Sequence, residues 1–90
     1  MKISITYTPK FVRQYKKLPQ NLKDEIKLKI RLFEDINNHK ILKVHKLNGQ
    51  LKGFLSFSLD YSHRIIFEYV SKNEVAIVKV GDHSVYEKYE

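Results

Sequence analysis

Residues 62–90 read SHRIIFEYVSKNEVAIVKVGDHSVYEKYE, and this stretch decides the fold. Two apolar runs, RIIFEYV (64–70) and EVAIVKV (74–80), flank the polar turn Ser71-Lys72-Asn73-Glu74. Strand-length runs rich in Val, Ile, Phe and Tyr around a short polar segment predict a β-hairpin. Both runs are apolar on both faces, as strands near the middle of a sheet are. The second leads directly into Gly81-Asp82-His83 and then Tyr86 and Tyr89, so a histidine and aromatic residues follow the last strand.

Upstream, FLSFSL (54–59) places Leu55, Phe57 and Leu59 on one face and adds a third strand to an antiparallel meander. At the other end, KISITY (2–7) alternates Ile3, Ile5 and Tyr7 against polar neighbours, the period of a strand with one buried face. Thr8-Pro9 reads as an N-cap with proline in the first helical turn, and Phe11, Val12, Tyr15 and Leu18 continue a short amphipathic helix to about Leu18. Pro19-Gln20 breaks it, and Asn21 is placed to cap a second helix. There Leu22, Ile26, Ile30 and Phe33 recur at helical spacing, with Leu32 and Ile36 expected to widen the buried stripe. Lys23, Lys27, Lys29 and Arg31 occupy the opposite face, and Asn37-Asn38 ends the helix. A short turn between the helices implies an antiparallel hairpin. A basic connector, HKILKVHKLNGQLKG (39–53), leads to the second half with Gly49 and Gly53 at turn positions. The expectation is one α+β domain over residues 1–90 in the order β-α-α-β-β-β. Its four-strand sheet has the helical hairpin packed on one face and its other face open.

Ninety residues support one core and not two. The chain has no cysteine, which excludes disulfides and Cys-ligated zinc and suits a reducing compartment. No apolar run reaches membrane-spanning length and the first residues do not form a signal peptide, so a soluble cytoplasmic protein without a membrane partner is expected. Seventeen Lys and Arg against ten Asp and Glu leave a net charge of +7. Such an excess attracts polyanions, which points to nucleic acid, an acidic protein, or both.

Three residues carry candidate chemistry: His45 before the second strand, Arg64 at the start of the third and His83 at the end of the fourth. A meander can bring such positions together across one face. Metal-free cleavage of RNA needs a base for the 2′-hydroxyl, an acid for the departing 5′-oxygen and a cation for the charge building on the phosphate. Two histidines titrating near neutrality and an arginine with parallel donors meet those needs. Tyr86 could stack on a single-stranded base. Each residue also has a plain structural reading. A histidine at a strand end is commonly a surface group, Arg64 could pair with Glu68 or Asp60, and Tyr86 could anchor the C-terminus. His63 points away from Arg64 in a strand and reads as supporting. His39, in a polar loop, is given no role. Zinc-binding spacing is absent, so no metal or other cofactor is expected. Ser56, Ser58 and Ser62 lack a glycine elbow, which makes a serine nucleophile weak.

The order of strand, helical hairpin, HKLNGQLKGF, HRIIFEY and VGDHSVY resembles the RelE/ParE superfamily of type II toxins over essentially the whole chain. The carrying motifs are L-x-G-x-L-x-G in LNGQLKG, the H-R-I-I-F run and the terminal G-x-H-x-x-Y. Within the superfamily the likeness is to the RelE, YoeB and YafQ type, messenger-RNA-cleaving toxins that act on the ribosome. The resemblance implies His45 as general base, Arg64 as phosphate contact and His83 as general acid. It implies Tyr86, Lys46 and Lys52 as substrate or ribosomal RNA contacts, and a cognate acidic antitoxin as partner. Ser56 and Ser58 stand where some relatives carry arginines, which throws more weight on Arg64 and the lysines. A ParE-like inhibitor of DNA gyrase without nuclease activity is the alternative on the same fold, and a non-enzymatic basic binding module a third reading.

Overall fold

The computed structural model describes residues 2–82. Strand β1 (Ser4–Tyr7) leads into helices α1 (Pro9–Lys16) and α2 (Gln20–Phe33). A two-residue strand β2 (His45–Lys46) and the meander β3 (Leu55–Ser58), β4 (His63–Ser71) and β5 (Glu74–Asp82) follow. The sheet order is β1-β5-β4-β3-β2, with β1 parallel to β5 and the other pairs antiparallel. The class and helical hairpin are as expected. The described residues contain five strands rather than four, because the basic connector contributes β2, in which His45 pairs with Ser56 and Lys46 with Leu55.

Local chemistry explains the helix limits. The Thr8 side chain accepts a hydrogen bond from the Phe11 amide at 3.2 Å, and Pro9 begins α1 with its φ already helical. The Thr8 hydroxyl also donates to the Ile77 carbonyl at 2.9 Å, which ties the start of α1 to β5. The α1 helix ends at Lys16, two residues earlier than the apolar spacing suggested. Asn21 is not the cap of α2: the helix begins at Gln20 behind Pro19 without a side-chain cap.

Ile26, Ile30 and Phe33 of α2 and Phe11 of α1 pack on Phe57, Ile65, Phe67, Val75 and Ile77 from alternating strand positions. Phe33 lies at the centre, its ring 4.6 Å from that of Phe57 and 4.7 Å from that of Phe67. Leu32 and Ile36 do not widen this stripe. Leu28 and Leu32 lie four residues apart on the flank of α2 turned from the sheet. The α2 helix ends at Phe33 and not at Asn37-Asn38, and Ile36 falls in the separate 3-10 turn Ile36–Asn38; all three are exposed.

The face away from the helices is not fully open either. Leu47 and Leu51, with Phe54 and Val78, cover Ile66, which has no exposed surface. A strand apolar on both faces requires such cover, and the connector supplies it through a tight turn at Gly49–Leu51. Gly49 and Gly53 both hold positive φ there, at 66° and 97°. A β-bulge shapes the same region. Phe67 pairs with Ile77 but Ile66 pairs with Lys79, so Val78 is an extra residue in β5. The extra residue sets Lys79 opposite Ile66 and returns Val80 to the helix side opposite Ile65. No helix among the described residues is long and apolar enough to cross a membrane.

Candidate functional site

Strand register assembles the site on the sheet face away from the helices. His45, Ser56, Ile66 and Lys79 form one row across β2, β3, β4 and β5. Ser58, Arg64 and Gly81 form the next. Since strands lie about 4.8 Å apart and two residues advance about 6.7 Å, the Cα atoms of His45 and Arg64 are roughly 12 Å apart. Side chains of their length can flank a single nucleotide across that gap. His45 and Arg64 therefore share a face. His83 and Tyr86 lie outside the described residues.

His45 is held in one tautomer. Its Nδ1 lies 2.8 Å from the Lys43 carbonyl oxygen, which can only accept, so Nδ1 carries the hydrogen. Nε2 is left as the basic nitrogen and meets the Ser56 hydroxyl at 3.3 Å. That hydroxyl can donate to a neutral imidazole or accept from a charged one, so the contact suits both protonation states. Lys43 has a φ of 59°, a left-handed conformation that costs a non-glycine residue. The one described non-glycine residue with a positive φ is thus the one whose carbonyl orients His45.

Arg64 is tied to the β3–β4 turn. Its Nη1 donates to the carbonyls of Asp60 and His63, both at 3.0 Å, so two of five N–H donors are engaged by the chain itself. The suggested pairing with Asp60 is made to its carbonyl oxygen. The Asp60 carboxylate instead accepts from His63 Nδ1 at 2.9 Å and from the amides of Ser62 and His63. Partial desolvation pushes the Asp60 carboxyl up, but these hydrogen bonds outweigh it and hold the group below its ordinary value. His63 therefore supports the turn. Lys46 and Lys52 have exposed side chains; Lys46 stands opposite Leu55 on alternate parity to His45, and Lys52 follows the Gly49–Leu51 turn.

Two residues on the site face, Ser56 and Lys79, have no role in the sequence reading. Ser56 was passed over as a failed nucleophile, although the alternation of FLSFSL sets it opposite Phe57. Lys79 lies in a run read only as apolar on both faces. The bulge at Val78 puts it on the site face, 6% exposed. His39 proves structural: its ring stacks on Phe33 at 4.4 Å and its Nε2–H donates to the Phe33 carbonyl at 2.8 Å.

On the opposite side of the molecule, Tyr7, Phe11, Tyr15, Ile26 and Ile30 line a groove of about 420 Å³ flanked by Lys27, Arg31 and Glu34. Burial raises the Tyr7 phenol, with Glu34 and Tyr15 adding to the effect. No three His, Asp or Glu among the described residues are grouped to hold a metal ion.

The chain matches no protein-family model and no curated protein sequence. Solved structures do match it along nearly their whole length. YoeB in the YoeB–YefM complex of Staphylococcus aureus is 28% identical, with a TM-score of 0.65 over 92% of this chain and 99% of that one. YafQ from E. coli strain BL21(DE3) is 18% identical, with a TM-score of 0.71 over 93% and 97%. A chain of the RelBE2 toxin–antitoxin complex from Mycobacterium tuberculosis is 19% identical, with a TM-score of 0.65 over 92% and 100%.

Proposed function

We propose that this chain, a RelE/YoeB/YafQ-like fold, is the toxin of a type II toxin–antitoxin pair and cleaves messenger RNA on the translating ribosome. The observation that carries the reading is the fixed tautomer of His45, whose basic Nε2 shares a sheet face with Arg64. In the proposed reaction, His45 Nε2 takes the proton of a ribose 2′-hydroxyl. The 2′-oxygen bonds to the adjacent phosphorus while the bond to the 5′-oxygen breaks. Arg64 stabilises the charge on the phosphate oxygens, and the leaving 5′-oxygen takes a proton from His83. The products are a 2′,3′-cyclic phosphate and a 5′-hydroxyl. All the proton transfers are served by side chains, so the reading needs no metal ion.

Turning the Arg64 guanidinium from two carbonyls to a phosphate exchanges neutral acceptors for a charged one, which favours the move. Lys52 and Tyr86 would contact message and ribosomal RNA around this centre, and Lys46, on the other parity of the edge strand β2, would do so only from the rim of the sheet. The partner is an acidic antitoxin, for which the net charge of +7 and the apolar groove edged by Lys27 and Arg31 are suited. Primer extension on a translated message with purified protein tests the reading, and discrete stops that require translation are expected. Intact message together with blocked supercoiling by gyrase would replace it with the gyrase-directed alternative.

A further inference from the structure

We infer that Tyr61 is a stacking platform for one unpaired nucleobase, held at the edge of the site by the turn that anchors Arg64. The inference rests on the proposal that this face takes RNA. Tyr61 is 94% exposed, more than any other large apolar or aromatic residue described. It is not left there by a loose loop. On its C-terminal side, the Asp60 carboxylate receives the Ser62 and His63 amides at 2.9 and 2.8 Å and the His63 ring at 2.9 Å. The Leu59 amide closes the turn on the His63 carbonyl at 3.0 Å. Before a phosphate binds, Arg64 Nη1 also bonds the Asp60 carbonyl, which belongs to the peptide unit leading into Tyr61. The Asp60 carboxylate bonds hold the turn once Arg64 moves to the phosphate.

A rigid turn thus presents an aromatic ring to solvent one peptide away from a guanidinium. Stacking asks for a ring with an uncovered face, because every base has a π-face, and the turn fixes the backbone that carries it. A nucleotide whose phosphate reaches Arg64 would bring a neighbouring base over the ring. The ligand is single-stranded RNA, since a base already paired and stacked in a duplex offers no face. Tyr61 would set affinity and position along the strand, not proton transfer.

The chain has no tryptophan, so Tyr61→Trp installs a unique reporter. The probe is an unstructured eight-nucleotide strand with 2′-deoxy sugars, which cannot be cut by 2′-oxygen attack, with a duplex of equal length as control. Quenching of the introduced tryptophan by the single strand and not by the duplex is expected. Anisotropy of the labelled strand should show Tyr61→Phe within about twofold of the wild type and Tyr61→Ala weaker by roughly 5- to 100-fold. The salt dependence should be unchanged, because no charge is removed. Equal affinity of Tyr61→Ala and wild type, absence of strand binding by the wild type, or binding without quenching overturns the inference. Quenching by a strand while the wild type cuts no translated message would remove the nuclease reading and leave the stacking site standing. Normal cleavage with an unquenched tryptophan would do the reverse.

Discussion

The two faces of the sheet are built from the same strands and answer to different demands. On the helix side, Phe57, Ile65, Phe67, Val75 and Ile77 meet Ile26, Ile30 and Phe33 in an all-apolar core. On the other side a small apolar island of Ile66, Leu47 and Leu51 is sealed, bordered by the buried Ser56 and Lys79 and by the more accessible His45 and Arg64. One face minimises free energy by excluding water. The other keeps polar groups in fixed orientation, at the local cost of a left-handed Lys43. If the proposed reaction runs on the polar face, stability and chemistry are separated by the thickness of one sheet, and substitutions on the two sides should have opposite signatures.

The largest effect is expected on the polar face. Arg64→Ala should lower cleavage by roughly 10²-fold or more, and Arg64→Lys should recover little because an ammonium cannot make parallel contacts. Circular dichroism and single-turnover cleavage together check this. Normal cleavage by folded Arg64→Ala would remove Arg64 from the phosphate site.

On the helix side, Phe33→Ala removes the ring shared by Phe57 and Phe67 and should cost about 3–5 kcal/mol of stability. For a domain of this size that is a large part of the total, so urea denaturation should show a marginal or unfolded chain. A loss under 1 kcal/mol would mean the three-phenylalanine cluster is not the keystone described.

His39→Ala is a smaller test of the same face. It deletes one stacked ring and one hydrogen bond to the end of α2, for about 1–2 kcal/mol, with activity per folded molecule unchanged. The loop position alone would have suggested no effect.

The smallest effect concerns pH. Because the folded Asp60 carboxyl lies below its ordinary value of 3.8, the stability it adds is full above that value and lost as pH falls through the lower folded one. Asp60 and its partner His63 are partly solvated, so screening keeps the contribution small. Asp60→Asn should flatten the acid limb of an unfolding curve only slightly, and an unchanged or steeper limb would contradict the assigned direction.

What the sequence shows follows from period. The strands β3–β5 and both helices announce themselves because alternation and 3.6-residue spacing persist over several residues. A two-residue strand has no period, so β2 was invisible, and with it the link from His45 to Ser56. The bulge at Val78 was hidden for a related reason: in a run apolar on both faces, a change of parity leaves no mark, and Lys79 could not be assigned a side. Spacing shows that residues share a flank of α2 without showing which flank meets the sheet, which is why the exposure of Leu32 was not legible; Ile36 is exposed because α2 stops at Phe33 before reaching it. His39 was missed because its partner is a backbone carbonyl.

The central claim is that His45 acts as a base from an exposed position that contributes little to folding. The direct measurement is primer extension on a translated message with wild type and His45→Ala at matched folded concentration, alongside their melting temperatures. The account predicts nearly equal melting and cleavage lower by about 10²–10⁴-fold in the variant. Equal cleavage by a fully folded His45→Ala protein would contradict it.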